Sequence, residues 1–160
     1  MKKLISVSLS LLMIFVFVCS ALPVYATTGE LSAADTAAVA AGTPFRLNDS
    51  SNYYASFEAA HEAATAGDTV YLLADATTSS VATISITKDI TLKGVGDVTL
   101  TNTATSNKYW LNSVTATLTI ENITLDIGCG GIVVSNNGNI NMTNVTAVAK
   151  ARPILKLSNT

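Results

Sequence analysis

The sequence predicts an all-β fold, a parallel β-helix in which short strands wind into stacked coils behind one short α-helix. Three observations predict it. A phrase of apolar, polar, apolar, polar, Gly or Asn, apolar recurs as Ile90-Thr-Leu-Lys-Gly-Val95, Leu118-Thr-Ile-Glu-Asn-Ile123 and Ile140-Asn-Met-Thr-Asn-Val145. Its copies begin 28 and then 22 residues apart (118 − 90 and 140 − 118), a period typical of coils too small to bury a core alone. Apolar residues alternate with polar ones in short bursts, as half-buried strands do. Residues 27–160 also hold 22 Thr, a strand former, beside many Asn, a turn former.

The N-terminus reads as an address. Lys2 and Lys3 precede an uncharged apolar stretch from Leu4 to Val18, and Val24-Tyr25-Ala26 ends in the small residue a signal peptidase requires. The apolar run is shorter than the roughly 20 residues that span a bilayer. It therefore predicts a cleaved signal peptide over 1–26 and a secreted product, with no transmembrane segment after cleavage. Cys19 does not fit a lipoprotein site, because Val18 stands where a small residue belongs. The exported 134 residues (160 − 26) carry seven basic and eleven acidic side chains, a net charge near −4. That balance argues against nucleic acid and anionic membranes as partners. Only Cys129 survives cleavage, so no internal disulfide is expected; the residue suits a small buried position.

Residues 27–44 are Ala/Thr-rich without a hydrophobic period and read as a flexible leader, with a weakly helical stretch at Ser32–Ala41. The β-helix domain is expected over 45–160. Ser56 is a good N-cap for a helix over Phe57–Ala66, and Gly67 is placed to end it. Phe57, Ala60, His61 and Ala64 share one face of that helix, while Glu58 and Glu62 form a solvated one. Asp68-Thr-Val-Tyr-Leu-Leu73 turns straight into a strand. Further strands are expected around Val81–Ile86, Ile90–Leu100, Thr117–Leu125, Gly131–Val134, Asn139–Val148 and Pro153–Leu157, with a turn at Gly94, Gly96 and Asp97.

The fifth position of the phrase is read as a coil corner. Gly94, Asn122 and Asn144 occupy it, and these residue types tolerate left-handed backbone better than others. Neighbouring coils lie about 4.8 Å apart, so equivalent asparagines are expected to hydrogen-bond along the stack. A second echo, Val134-Ser-Asn136 and Leu157-Ser-Asn159, predicts another corner.

The helix, the Ala66-Gly-Asp-Thr-Val-Tyr-Leu72 segment and the Thr-rich coils with Asn turns resemble the pectin lyase-like superfamily over residues 53–160. The resemblance implies a right-handed cylinder whose N-terminal end is capped by the helix. It further implies a bacterial secreted or surface protein. The superfamily includes polysaccharide lyases, glycoside hydrolases and surface proteins without known activity, so the fold does not choose among functions. The chain ends inside what reads as a coil, which predicts the N-terminal part of a longer cylinder or self-association through an open end.

No catalytic constellation is apparent. Asp75, Asp89, Asp97, Glu121 and Asp126 stand singly, and none recurs at the coil spacing. His61 is the only histidine and reads as structural; Arg46 and Arg152 read as isolated. No metal ligands or cofactor are expected. The six residues by which the first interval exceeds the second are assigned to Thr103–Trp110. There Asn107, Lys108, Tyr109 and Trp110 form the candidate ligand site, the aromatics stacking on a sugar ring and the polar pair bonding its hydroxyls. Threonines at 99, 101 and 103 and at 115, 117 and 119 do not recur at one spacing, which argues against an ordered hydroxyl array. The sequence thus favours a non-catalytic carbohydrate or surface-ligand binder of adhesin type. The alternatives are the front of a lyase or hydrolase with its catalytic coils elsewhere, and a structural spacer.

Overall fold

The computed structural model describes residues 30–79, 82–104, 109–113, 115–128, 130–135, 137–149 and 155–158. It is a parallel β-helix of about three turns with a short helix on the N-terminal side of the coils. Strands β3 (Asp68–Leu72), β6 (Ile90–Gly94), β9 (Thr117–Ile127) and β11 (Asn139–Ala149) stack in parallel on face one. The same β9 and β11 continue onto face two, where β9 lies on β7 (Thr99–Asn102), which pairs with β4 (Ala76–Thr78). Face three stacks β5 (Ile84–Ile86), β8 (Tyr109–Ser113), β10 (Gly130–Ser135) and β12 (Leu155–Ser158).

The repeated phrase sets the register. Ile90 pairs with Leu118 and Leu118 with Ile140. Asp68 pairs with Ile90, so Asp68–Leu72 is a fourth copy, 22 residues ahead of the first. Side chains alternate across each strand. Val70, Leu92 and Ile120 therefore stack inside, each fully buried, and each contributes roughly 1.5–3 kcal/mol of hydrophobic stabilisation. At the C-terminal end the same inward column reaches Met142, which is 38% exposed.

The corner between faces one and two has two solutions. Asn122 (φ 53°) and Asn144 (φ 52°) are left-handed, so a single residue bends the chain while the strand runs on. Their side chains form the expected ladder, with Asn144 Nδ2 donating to Asn122 Oδ1 at 3.0 Å. Gly94 differs from the expectation: its φ is not left-handed, and Gly96 takes the positive φ (74°) instead. Gly94 is required for space, because a Cβ there would lie 2.0 Å from the Asn122 carbonyl oxygen. The second echo also pairs as expected, Val134 on Leu157 and Ser135 on Ser158; Asn136 and Asn159 fall outside the described residues.

The N-terminal end is closed by two devices. Strand β1 (Phe45–Leu47) lies antiparallel on β3 and carries β2 (Tyr53–Tyr54) on its other edge. These strands protect the edge that β3 otherwise exposes. Helix α2 (Phe57–Ala63) follows, with Ser56 Oγ accepting from Ala59 N at 3.2 Å. Phe57, Ala60 and Ala64 are buried in the same core as the coils. The helix ends earlier than the sequence suggests. Ala64 is already extended (φ −67°, ψ 155°), and Lys88 Nζ donates to the Ala64 and Glu62 carbonyls in place of a glycine cap. Within the segment read as a leader, the helical stretch expected at Ser32–Ala41 is present and is tied to the coils. Helix α1 (Ala33–Ala40) starts at Ser32 with a capping box, and its Asp35 pairs with Arg46 Nη1 at 2.8 Å. Arg46 is therefore not isolated.

Two outcomes follow for urea denaturation. Asn122→Ala is expected to destabilise by about 2 kcal/mol, losing both the ladder bond and the tolerated left-handed corner; Asn122→Gly, which keeps the backbone, is expected to cost only about 1 kcal/mol. Equal losses would remove the backbone part of this account. His61 adds a pH effect. Burial, then Lys88, hold its imidazole below its ordinary 6.5, against a smaller opposing pull from Glu62. The unfolded chain therefore takes up this proton first, and stability present above 6.5 is lost as pH falls below it. His61→Gln is expected to flatten that slope, seen as thermal midpoints at pH 7.5 and 5.5 that differ less than in wild type.

Candidate functional site

The outer surface of face one is a grid of polar side chains, because the residues alternating with the core all point outward there. One column runs Thr69, Thr91, Thr119, Asn141 by the strand register, and a second runs Gly67, Asp89, Thr117, Asn139, its first two steps made by hydrogen bonds to Asp89 and its last by the register. Threonines thus align down the stack although their spacing along the chain is uneven. Face two carries a similar column, Thr99, Thr124 and Thr146. The Thr-x-Thr runs at 99–103 and 115–119 do not stack on one another: Thr101 lies against Asp126 and Thr117 against Asn139, and only single threonines of each run join these columns.

A hollow of about 270 Å³ opens on face one, lined by Gly67, Asp89, Ile90, Thr91, Thr117 and Thr119. It exists because the first rung of its column is Gly67, which is left-handed (φ 91°) and has nothing within 4 Å of where a Cβ would lie. Asp89 is pinned beside it. Its carbonyl accepts from Gly67 N at 2.8 Å and its Oδ1 from Thr117 N at 2.7 Å. The hollow therefore offers three hydroxyls, each donor and acceptor, and one carboxylate. That set matches a polyol, whose hydroxyls need both kinds of partner.

Three other carboxylates, Asp75, Asp68 and Glu121, serve the backbone, a side-chain amide or a cation. Asp75 Oδ1 accepts from Thr99 N at 2.7 Å, repeating the Asp89 device on face two. Asp68 accepts from Thr65 N at 2.6 Å and from Asn48 Nδ2 at 2.9 Å. These hydrogen bonds, the one from Thr65 N foremost, hold its carboxyl below the ordinary 3.8. Glu121 pairs with Lys93 one rung below at 3.1 Å.

Of the four residues singled out from sequence, the two that are described, Tyr109 and Trp110, do not present a pair of exposed rings. Asn107 and Lys108 lie outside the described residues, as do Cys129 and Arg152. Tyr109 and Trp110 begin strand β8 instead of standing on a loop. Trp110 is 1% exposed, and its ring meets Phe57 of α2 edge-on, 6.4 Å between centroids. Its ring is therefore core, at the junction of cap and cylinder, and has no face for a ligand. Tyr109 is half-buried with Lys156 Nζ 5.7 Å from its ring centre. The six extra residues are also shared out differently. By the register, three fall at the Val95–Val98 corner and four at 103–108, offset by one fewer before β9. His61 packs beside Phe57, 6.1 Å between ring centres, as a structural histidine.

The sequence conceals the hollow because the Asp68 copy of the phrase does not match the other three. Its first position is Asp where the others have Ile or Leu, and that mismatch hid Gly67 as the rung before Asp89. Trp110→Ala is expected to cost about 3–5 kcal/mol, the range for emptying a large buried site, read as a fall in urea midpoint. A loss under 1 kcal/mol would mean that the ring does not join cap to core.

No protein-family model, curated protein or solved structure matches this chain, so the coils and the face-one hollow are the ground on which a function is argued.

Proposed function

We propose that this chain is a secreted, non-catalytic carbohydrate-binding β-helix of pectin lyase-like type, from a bacterium, acting at or near the cell surface. The observation that carries the reading is the hollow between Gly67 and Thr119, lined by the Thr91, Thr117 and Thr119 hydroxyls and the Asp89 carboxylate. The columns above it repeat at the strand spacing of about 4.8 Å, which suits a polymer better than a single small ligand. Asp75 and Asp89 are committed to backbone amides of the next coil and Glu121 to Lys93, which supports binding over catalysis. The N-terminal signal pattern supports export. The polar grid, in place of the aromatic segment at 109–110, is the surface assigned to the ligand.

Binding to a panel of insoluble and immobilised polysaccharides tests this. The double variant Thr91→Val, Thr119→Val keeps the β-branched shape and removes two hydroxyls. At about 1 kcal/mol per lost hydrogen bond, it is expected to weaken binding by roughly tenfold or more, with an unchanged thermal midpoint. Unchanged binding would move the ligand off face one, and release of reducing ends by this chain alone would overturn the non-catalytic reading.

A further inference from the structure

The turn that feeds β11 contains Asn137-Gly138, and no other asparagine in the chain is followed by glycine. Gly138 N donates to the Ser135 carbonyl at 3.0 Å. Ser135–Gly138 is thus a β-turn with glycine at its last position, where such turns favour it. The glycine is also required by its surroundings. A Cβ there would lie 2.2 Å from the Ser113 carbonyl oxygen and 2.8 Å from Ser113 Oγ, and Ser113 is fully buried. Asn137 is exposed, and its side-chain amide has no hydrogen-bond partner among the described residues. Asn48, Asn102, Asn112, Asn122 and Asn144, by contrast, all hold side-chain hydrogen bonds.

The strand after this turn depends on the turn's length. Asn139 is the first rung of β11 on β9, opposite Thr117, and Ile140 follows opposite Leu118. Asn139 N donates to the Ala116 carbonyl at 3.0 Å, and its own carbonyl accepts from Ser113 Oγ at 2.9 Å. Register keeps Ile140 packed against the core, and strand pairing tolerates little change in backbone length before its first rung. Gly138 has no slack to give, held between the Ser135 bond and the Ser113 carbonyl.

We propose that Asn137 is a spontaneous modification site, where the chain converts its own asparagine to isoaspartate and so loosens the coil that β11 completes. Gly138 N bonds to Asn137 Cγ and gives up its proton. The Cγ–Nδ2 bond breaks, Nδ2 takes up that proton, and ammonia leaves behind a five-membered succinimide. Water then adds to one of the two imide carbonyl carbons, and the C–N bond there breaks. Opening at Cγ leaves an ordinary aspartate. Opening at the main-chain carbonyl carbon of residue 137 leaves that carbon as a free carboxylate and routes the backbone through Cβ and Cγ, one carbon longer. Water enters, ammonia leaves, and no other reactant is needed. Glycine leaves the attacking nitrogen unhindered, since no Cβ stands beside it. The bond to Ser135 restrains that nitrogen, so each attack waits for the turn to open. The close fit against Ser113 thus fixes a reactive dipeptide at the entrance to β11. The site is separate from the Asp89 hollow and does not depend on it.

The test ages the folded full chain in mild alkali and in mild acid. Peptide mass spectrometry with isoaspartyl methyltransferase labelling reads the product. Isoaspartate is expected at residue 137 ahead of every other asparagine, and faster in alkali, where the attacking nitrogen loses its proton more readily. Asn137→Gln, whose longer side chain closes a six-membered ring poorly, is expected to form none there. In the modified fraction, amide exchange over residues 139–143 is expected to speed about tenfold while residues 90–94 keep their protection. Asn137→Gln aged in the same way is expected to keep both. No isoaspartate at 137, or its earlier appearance at another asparagine, overturns the site. Modified chains whose β11 exchanges as in fresh protein, or an aged Asn137→Gln chain that loosens equally, overturn the loosening.

Discussion

The corner between faces one and two governs this molecule. Strands of neighbouring coils pair in register only if every coil turns at the same height, since a slip of one residue turns each inward side chain outward. Asn122 and Asn144 turn within a single left-handed residue and bond to each other across the coils. Gly94 fits under Asn122 because it brings no Cβ to the Asn122 carbonyl. The continuous inward columns, such as Val70, Leu92 and Ile120, follow from that alignment.

The same alignment produces the outer surface. Once the inward residues stack, the residues between them stack too, and threonines far apart along the chain become neighbours. The hollow on face one is a gap in such a column, left by Gly67 and bordered by Asp89, whose carboxylate is tied to the next coil. The lining of the hollow and the pairing of the coils thus share residues, Asp89 and Thr117 among them.

The two ends of the cylinder are handled by different chemistry. At the N-terminal end, Phe57 joins the core to Trp110 and Phe45, while β1 covers the edge of β3 through backbone pairing. Outside these, α1 is attached chiefly through a buried ion pair.

The phrase at 90, 118 and 140 was enough by itself to determine the coil, its register and the asparagine ladder. Those depend on side-chain alternation and on which residues tolerate a left-handed corner, both local properties of the chain. The Ser56-capped helix was legible for the same reason. The roles of Trp110, Arg46, Gly67 and Gly94 were decided only by the tertiary structure. Trp110 looked like a binding residue because its sequence neighbours are polar, yet α2 supplies the ring that buries it. Arg46 reads as isolated because its partner, Asp35, lies 11 residues away on a separate helix. Gly67 and Gly94 depend on what stacks above them from the next coil: open space over one and a carbonyl against the other. Contacts between coils are set by three-dimensional proximity, and sequence distance does not carry that information.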